Sequence, residues 1–355
     1  MSSIVLSNQL SSVMNIKSMH RSRGSSIRSR FRVIFYIFVV CFLSPYTPVL
    51  SADKHEKKSA RSLINEMSNA VRTLSYDGIF IYQRGGNMNA LRLIHRADDE
   101  GEVERLVSLT GSPREIIRNK EAVTCFFSDK QSVTVEKSRP RELLSSQLPQ
   151  SMDKLAANYQ FSIVGEDRVA GIPSWVVSIK PKDAYRYGYQ FWIGQENSFL
   201  LKSELRNRNG LLLEQIMFTQ LDILDRVPDE LLEPSISSAG FTWYNNSEVD
   251  ENLTLSKESW QVGWMPSGFS MNTRERYPIA DKANLVNHIV YSDGLAMVSI
   301  FIEKLQRNRG MSSGLSTLGG VNAFAREANG YQVTAVGEVP QATVKRMADS
   351  VIPSR

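Results

Sequence analysis

Near its C-terminal end the chain reads Asn287-His288-Ile289-Val290-Tyr291-Ser292-Asp293-Gly294-Leu295-Ala296-Met297-Val298-Ser299-Ile300-Phe301-Ile302-Glu303. β-Branched and aromatic residues flank Ser292-Asp293-Gly294, which predicts two strands joined by a tight Asp-Gly turn. Both arms are apolar nearly throughout, so neither face can be left in water. The hairpin must therefore form the core of a small C-terminal domain.

The same run, taken with Trp264-Met265-Pro266-Ser267-Gly268-Phe269 before it and Gln332-Val333-Thr334-Ala335-Val336-Gly337-Glu338-Val339-Pro340 after it, resembles the RseB/MucB family of periplasmic regulators. The likeness runs from about Ala60 to the C-terminus. It implies a protein that binds the anti-sigma factor of the envelope-stress sigma-E pathway. It also implies a first domain similar to the lipoprotein carriers LolA and LolB.

The N-terminal end has a different character. Lys17, Arg21, Arg23, Arg28, Arg30 and Arg32 are basic, no acidic residue occurs through Ala52, and Val33 to Leu43 is an uninterrupted apolar run. A basic region, a short apolar run and the small-residue end Ser51-Ala52 read as a secretory signal over residues 1–52. A bilayer span needs about 20 apolar residues. An uncleaved anchor is the alternative. Without these residues the 42 Lys and Arg become 36 against 37 Asp and Glu, so the remainder carries −1. The basic balance of the whole chain is thus no argument for nucleic acid. Cys125 is then the one cysteine left, which excludes an internal disulfide and suits a small buried side chain.

The remainder is long enough for two domains. Leu63, Met67, Ala70, Val71 and Leu74 recur at helical spacing, with Ser59 or Ser62 as cap and Tyr76-Asp77-Gly78 as the stop. A long β region follows. Ile79 to Tyr82 and Leu91 to Ile94 flank the turn Gly85-Gly86-Asn87, and further strands fall at 103–109, 116–117, 123–127 and 133–135. After a short helix around 151–159 the pattern resumes at 161–164, 175–179, 190–193, 200–206 and 211–218. The fold class is α+β: an antiparallel curved sheet, open as a half-barrel and covered on one face by helices, over residues 53–232. Such a concavity suits an apolar ligand. Tyr185, Tyr187, Tyr189, Phe191 and Trp192 crowd one strand and its approach. Phe80, Tyr82, Leu93, Trp175, Tyr189 and Phe191 are the candidate cavity side chains.

Glu233 to Gly240 is rich in Ser, Pro and Gly and opens a linker over 233–247. Within it Phe241-Thr242-Trp243-Tyr244 either packs between the domains or begins a strand, packing being favoured. The second domain, 248–355, holds the hairpin, a Gly- and Ser-rich loop over 310–320, a strand pair ending at Gly337 and a terminal helix over 341–351. Trp243, Tyr244, Trp264 and Tyr291 are the candidate partner-binding or interdomain residues.

Catalytic and metal signatures are missing from this pattern. His55, His95 and His288 have no second ligand type at metal spacing, and Gly314-Leu315-Ser316-Thr317-Leu318 lacks the closing glycine of a nucleophile elbow. His288 reads as a satisfied core histidine. Asp98-Asp99-Glu100 reads as a solvated hairpin tip. Arg139-Pro140-Arg141 and Arg206-Asn207-Arg208 are basic turns able to meet a phosphate or an acidic peptide. No enzyme, cofactor or metal site is expected.

Two function classes remain. The resemblance implies a periplasmic negative regulator that shields the anti-sigma segment from site-1 proteolysis and lets it go on envelope stress. The aromatic-rich curved sheet with its Arg-bearing turns suggests a lipid such as lipopolysaccharide as the release signal. The pattern of the first domain alone suggests a periplasmic lipid or lipoprotein carrier. A carrier needs only the half-barrel, so the second domain favours the regulator. Self-association is left open.

Overall fold

The computed structural model describes residues 58–138, 152–245, 260–279, 284–305 and 313–353. The leader, Arg139-Pro140-Arg141 and the stretch 306–312 lie outside the described residues.

Helix α1 (Ala60–Thr73) begins where Ser59 accepts the Ser62 amide through its side chain, a cap of about 1 kcal/mol. Its stripe Leu63, Ile64, Met67 and Val71 is buried in the core of the first sheet. Each such side chain contributes about 1.5–3 kcal/mol. The helix stops at Thr73, and Tyr76-Asp77-Gly78 belong to the first strand rather than to the stop. Tyr76 is fully buried and stacks on His95, which draws this segment onto the sheet.

Strands β1 (Ser75–Arg84) and β2 (Asn87–Asp98) are joined by Gly85-Gly86, whose φ values of 55° and 86° are those of a two-residue primed turn. Then come β3 (Gly101–Ser108), β4 (Arg114–Arg118), β5 (Ala122–Phe127) and β6 (Ser132–Lys137). After the short helix α2 (Met152–Ala156) the chain returns as β7 (Tyr159–Val169), β8 (Ile172–Pro181), β9 (Gly188–Gly194), β10 (Leu200–Arg206) and β11 (Leu212–Leu224). Within β1 to β6 and within β7 to β11 neighbours in sequence pair antiparallel, and β1 pairs with β11, so the two meanders merge into one sheet.

Its order is β12-β6-β5-β4-β3-β2-β1-β11-β10-β9-β8-β7, an open sheet of twelve strands with two free ends. Strands β7 and β11 touch although three strands separate them, so that half of the sheet curls inward. Among the described residues, the helical cover is α1 and the five residues of α2.

Beyond β11 the chain crosses the outer face of the sheet. Val227 and Leu232 pack on Ile94, Arg105 donates to the Leu231 carbonyl at 2.9 Å, and Ser235 bonds the buried Glu115 through amide and hydroxyl. Strand β12 (Thr242–Asn245) then lies parallel to β6 as the outermost strand. The favoured packing of Phe241 to Tyr244 between the domains is therefore corrected. Trp243 and Tyr244 are 56% and 53% exposed at a sheet edge and are not members of the second core, with Trp243 edge-on to Phe126. Pairing with β6 satisfies this backbone, which an interdomain knot would not.

The second unit is a six-stranded antiparallel sheet, β14-β15-β16-β19-β18-β17. Its strands are β14 (Ser270–Ile279), β15 (Asn284–Ser292), β16 (Met297–Lys304), β17 (Gly314–Leu318), β18 (Val321–Ala328) and β19 (Tyr331–Gly337). Strands β13 (Trp260–Val262) and β20 (Val351–Pro353) form a separate ladder. Helix α3 (Gln341–Asp349) buries Val344, Met347 and Ala348 against β18 and β19, while Val351 opens β20 instead of ending the helix. Part of the expected Gly- and Ser-rich loop is strand β17.

The hairpin of β15 and β16 sits in the middle, buried on both faces as its composition requires. His288 bonds the Ser299 hydroxyl at 3.0 Å and stacks on Phe301. Its turn is longer than Asp-Gly: Ser292 pairs with Met297, leaving Asp293–Ala296 as a four-residue loop. The Asp293 side chain accepts the Leu295 and Ala296 amides at 2.9 and 2.7 Å, and Leu295 joins the core of the first sheet. The loop is open because its tip is inserted there.

Candidate functional site at the junction of the two sheets

The connection between β8 and β9 plugs into the second unit through three consecutive side chains. The Tyr185 carbonyl accepts the Thr343 hydroxyl and its phenol oxygen accepts Arg346, both at 2.7 Å. The Tyr185 ring meets Trp264 edge-on at 5.0 Å, and the Arg346 guanidinium covers Trp264 at 4.0 Å. Next, Arg186 is wholly buried: it donates to Asp293, to the Ser267 carbonyl at 2.6 Å, and lies 2.9 Å from Asp183. Its guanidinium is held between the rings of Tyr159 and Phe269. Tyr187 then accepts the Asn322 amide at 3.0 Å, and the same amide donates to the Val339 carbonyl.

Asp293 is shared across the junction. Tyr159 of the first sheet donates its hydroxyl to Asp293 at 3.0 Å. Burial, and secondarily the Asp293 charge, push that phenol well above its ordinary range.

A second contact lies at the ends of β1 and β11. Strand β1 alternates strictly, so Tyr76, Phe80 and Tyr82 point inward and Arg84 follows in the same phase. On β11, Glu214 is in phase with Ile216 and Phe218, and the register sets it opposite Arg84. Arg84 donates at 2.7 Å to Glu214 and at 2.7 Å to Glu338, which follows β19. The two carboxylates and the guanidinium are nearly inaccessible to water.

Burial, then the Glu214 charge, pushes the Glu338 carboxyl up to about 8. Burial likewise raises the phenols of Tyr82 and Tyr189 beside it. Tyr189, Ser203, Leu205, Glu214, Ile216 and Glu338 enclose about 10 Å³, room for a single water at most. Gly319, in the turn between β17 and β18, caps this contact: a Cβ there would stand 2.5 Å from Arg84 Cγ.

The sequence-predicted cavity residues Phe80, Tyr82, Leu93, Tyr189 and Phe191 are buried together in the core of the first sheet, with Trp175 partly buried against it. Open space lies elsewhere. A groove of about 620 Å³ runs between the C-terminal end of α1 and the tips of the β2–β3 and β4–β5 hairpins, with Arg72, Arg118 and Lys120 on its rim beside Asp98, Glu102 and Glu104. Of the four partner or interdomain residues, Trp264 stands at the junction, Tyr291 is in the second core, and Trp243 and Tyr244 are apart on β12. Arg206 is tied to Glu204, and Asp98 holds the Glu100 and Gly101 amides of a solvated tip.

Sequence reasoning missed Arg84, Glu214, Glu338 and Arg186. Arg84 and Glu214 carried a signal, a charge on the inward phase of an apolar strand.

The family models match in two pieces that follow these two units: the MucB/RseB N-terminal domain over residues 59–236 and the MucB/RseB C-terminal domain over 254–352. The chain belongs to the MucB/RseB family. A MucB/RseB relative from Pseudomonas aeruginosa, the sigma factor AlgU regulatory protein MucB, is 31% identical over 308 residues, 83% of this chain and 91% of the relative. The sigma-E factor regulatory protein RseB of Haemophilus influenzae is 29% identical over 303 residues, 83% and 92% of the two chains. Among solved MucB/RseB structures, the Pseudomonas aeruginosa MucA/MucB complex is similar at a TM-score of 0.66 and 28% identity, covering 83% of this chain and 99% of the other. These relatives are named as regulatory proteins rather than enzymes.

Proposed function

We propose that this chain is a periplasmic negative regulator of a sigma-E-type envelope-stress response. It binds the periplasmic part of a membrane anti-sigma factor and shields that segment from site-1 proteolysis. The observation that carries this reading is the similarity to MucB, solved in complex with MucA, across both units and nearly the whole of the relative. In this reading residues 1–52 are removed on export, and residues 53–232 and 248–355 act as separate domains joined by 233–247. Trp243 and Tyr244 are proposed contacts to the partner, and Trp264 and Tyr291 proposed contacts to the partner or between the domains.

The release signal in this reading is an amphipathic lipid such as lipopolysaccharide. Arg72, Arg118 and Lys120 in the lining of the groove suit a phosphate, and since that lining has no large apolar side chain an acyl chain would have to enter the core of the first sheet. An acyl chain reaching Phe80, Tyr82, Leu93, Trp175, Tyr189 and Phe191 must displace existing packing, so lipid entry and rearrangement of the first core are one event. The same groove is what favours a lipid or lipoprotein carrier as the second reading.

The test is binding of the exported protein to the periplasmic part of the anti-sigma factor, with cleavage by the site-1 protease followed in the same mixture. Tight binding and slowed cleavage are expected. Cleavage unchanged at saturating protein sinks the shielding role. Lipid that loads the protein without altering partner affinity, below its aggregation concentration, turns the reading toward the carrier.

A further inference from the structure

The contact made by Arg84 contains more acid than base. One guanidinium meets two carboxylates, Glu214 and Glu338, and all three side chains are sealed from water. The groups facing Glu338 are Arg84 and Tyr82 of β1, Glu214 of β11, Tyr189 of β9 and Tyr187 of the β8–β9 connection, with Ser203, Leu205 and Ile216 completing the wall. On its own side Asn322 is bound to the Val339 carbonyl rather than to Glu338. Arg84 is the cation that acts on this carboxyl among the described residues. Burying a net negative charge in so dry a space is prohibitively unfavourable, and a proton shared by the two carboxyls removes it.

We propose that the junction is a proton-dependent latch, in which Glu338 enters the Arg84–Glu214 site as the neutral acid and loss of that proton releases the second sheet from the first. The neutral carboxyl donates its O–H to Glu214 and accepts Arg84 through its carbonyl oxygen. No second carboxylate charge then remains unmatched. When the units separate, the carboxyl regains water and its ordinary acidity. Its affinity for a proton is therefore higher docked than free. By linkage, docking is favoured while the proton stays on and is lost as pH rises through the docked value near 8. Tyr82, Tyr187 and Tyr189 are all shifted upward, so they stay neutral in that window.

The other buried contact encloses a single carboxylate, Asp293, since Asp183 beside Arg186 keeps part of its surface in water. The latch concerns the two units of this chain and stands independently of the partner and of lipid.

The experiment places fluorophores on cysteines introduced at the exposed Met88 of β2 and Ile352 of β20, with Cys41 replaced by serine and Cys125, which is buried, left unlabelled. Energy transfer between the units is followed from about pH 6 to about pH 10, with far-UV dichroism reporting that the fold is intact. The closed-to-open ratio is expected to fall about tenfold per pH unit up to the docked value near 8 and to level off above it. Glu338→Gln keeps the donor and the acceptor without the titration. Glu214→Gln leaves one carboxylate on Arg84 and needs no shared proton. Both variants are expected to stay closed across the range, so either one carries the test if the other fails to fold. A wild-type transfer signal that is level throughout overturns the latch, and so does a glutamine variant that separates at the same pH as wild type.

Discussion

Arg186 and Arg84 both leave the first sheet to grasp a carboxylate of the second unit, yet the two contacts are matched differently. At Arg186 one carboxylate, Asp293, is enclosed, while Asp183 keeps part of its surface in water. At Arg84 two carboxylates are enclosed together. The first contact is balanced without a proton and also organises its own loop, since Asp293 holds the Leu295 and Ala296 amides and the Tyr159 hydroxyl. The second is balanced only with one. The comparison teaches that a junction of this kind can contain a charge-matched contact and a proton-dependent one side by side.

The sharpest way to break the comparison is to truncate each acid. Asp293→Ala leaves a buried guanidinium, a buried phenol and two amides short of their acceptor, and should destabilise the protein by about 3–5 kcal/mol in urea unfolding. Glu338→Ala removes a charge-assisted hydrogen bond but also the surplus acid, and Arg84 retains Glu214. A loss of about 1.5 kcal/mol near pH 6, shrinking toward pH 9, is expected. Equal losses for the two variants, or a Glu338→Ala loss that does not shrink with pH, would show that both anchors are of one kind.

A smaller effect sharpens the same contrast at the plug. Thr343→Val keeps the volume of a fully buried side chain and deletes its one bond to the Tyr185 carbonyl. About 1 kcal/mol of stability should be lost, equally at pH 6 and pH 9, because the deleted bond joins a neutral hydroxyl to a backbone carbonyl. A pH-dependent loss would couple this contact to Glu338.

Much of the fold is legible in the sequence, because period-two burial is a local property. The helix with its Ser59 cap, the Gly85-Gly86 turn and the positions of β1 to β11 follow from spacing alone. The far halves of β7 and β11 do not, since Glu166-Asp167-Arg168 and Asp222 carry no apolar phase and are strand only because a neighbour pairs with them. The same is true of β12, whose parallel partner lies more than a hundred residues earlier. The site was harder to read. Asp293-Gly294 is a turn signal, and that reading conceals the second use of the carboxylate as the acceptor for Arg186. The aromatic crowd at Tyr185 to Trp192 was visible, but its division between a core strand and an interdomain plug depends on which loop the second unit presents.

The least destabilising change bears on the partner rather than on the junction. Trp264 is half-buried between Tyr185 and Arg346, whereas Trp243 and Tyr244 stand in water on an edge strand, Trp243 touching Phe126. Exposed aromatics on an edge strand suit an extended peptide, which gains main-chain bonds from the edge and side-chain area from the rings. Changing both to serine should therefore leave the unfolding midpoint within about 0.5 kcal/mol of wild type. Under the proposed function, calorimetric titration with the periplasmic part of the anti-sigma factor should then show at least a tenfold weaker complex, about 1.4 kcal/mol. Trp264→Ser is the counterpart: it disturbs the plug and should lower stability. If the serine pair binds the partner as tightly as wild type while Trp264→Ser does not, the partner surface belongs at the junction, and β12 is an edge strand whose rings serve only its own sheet.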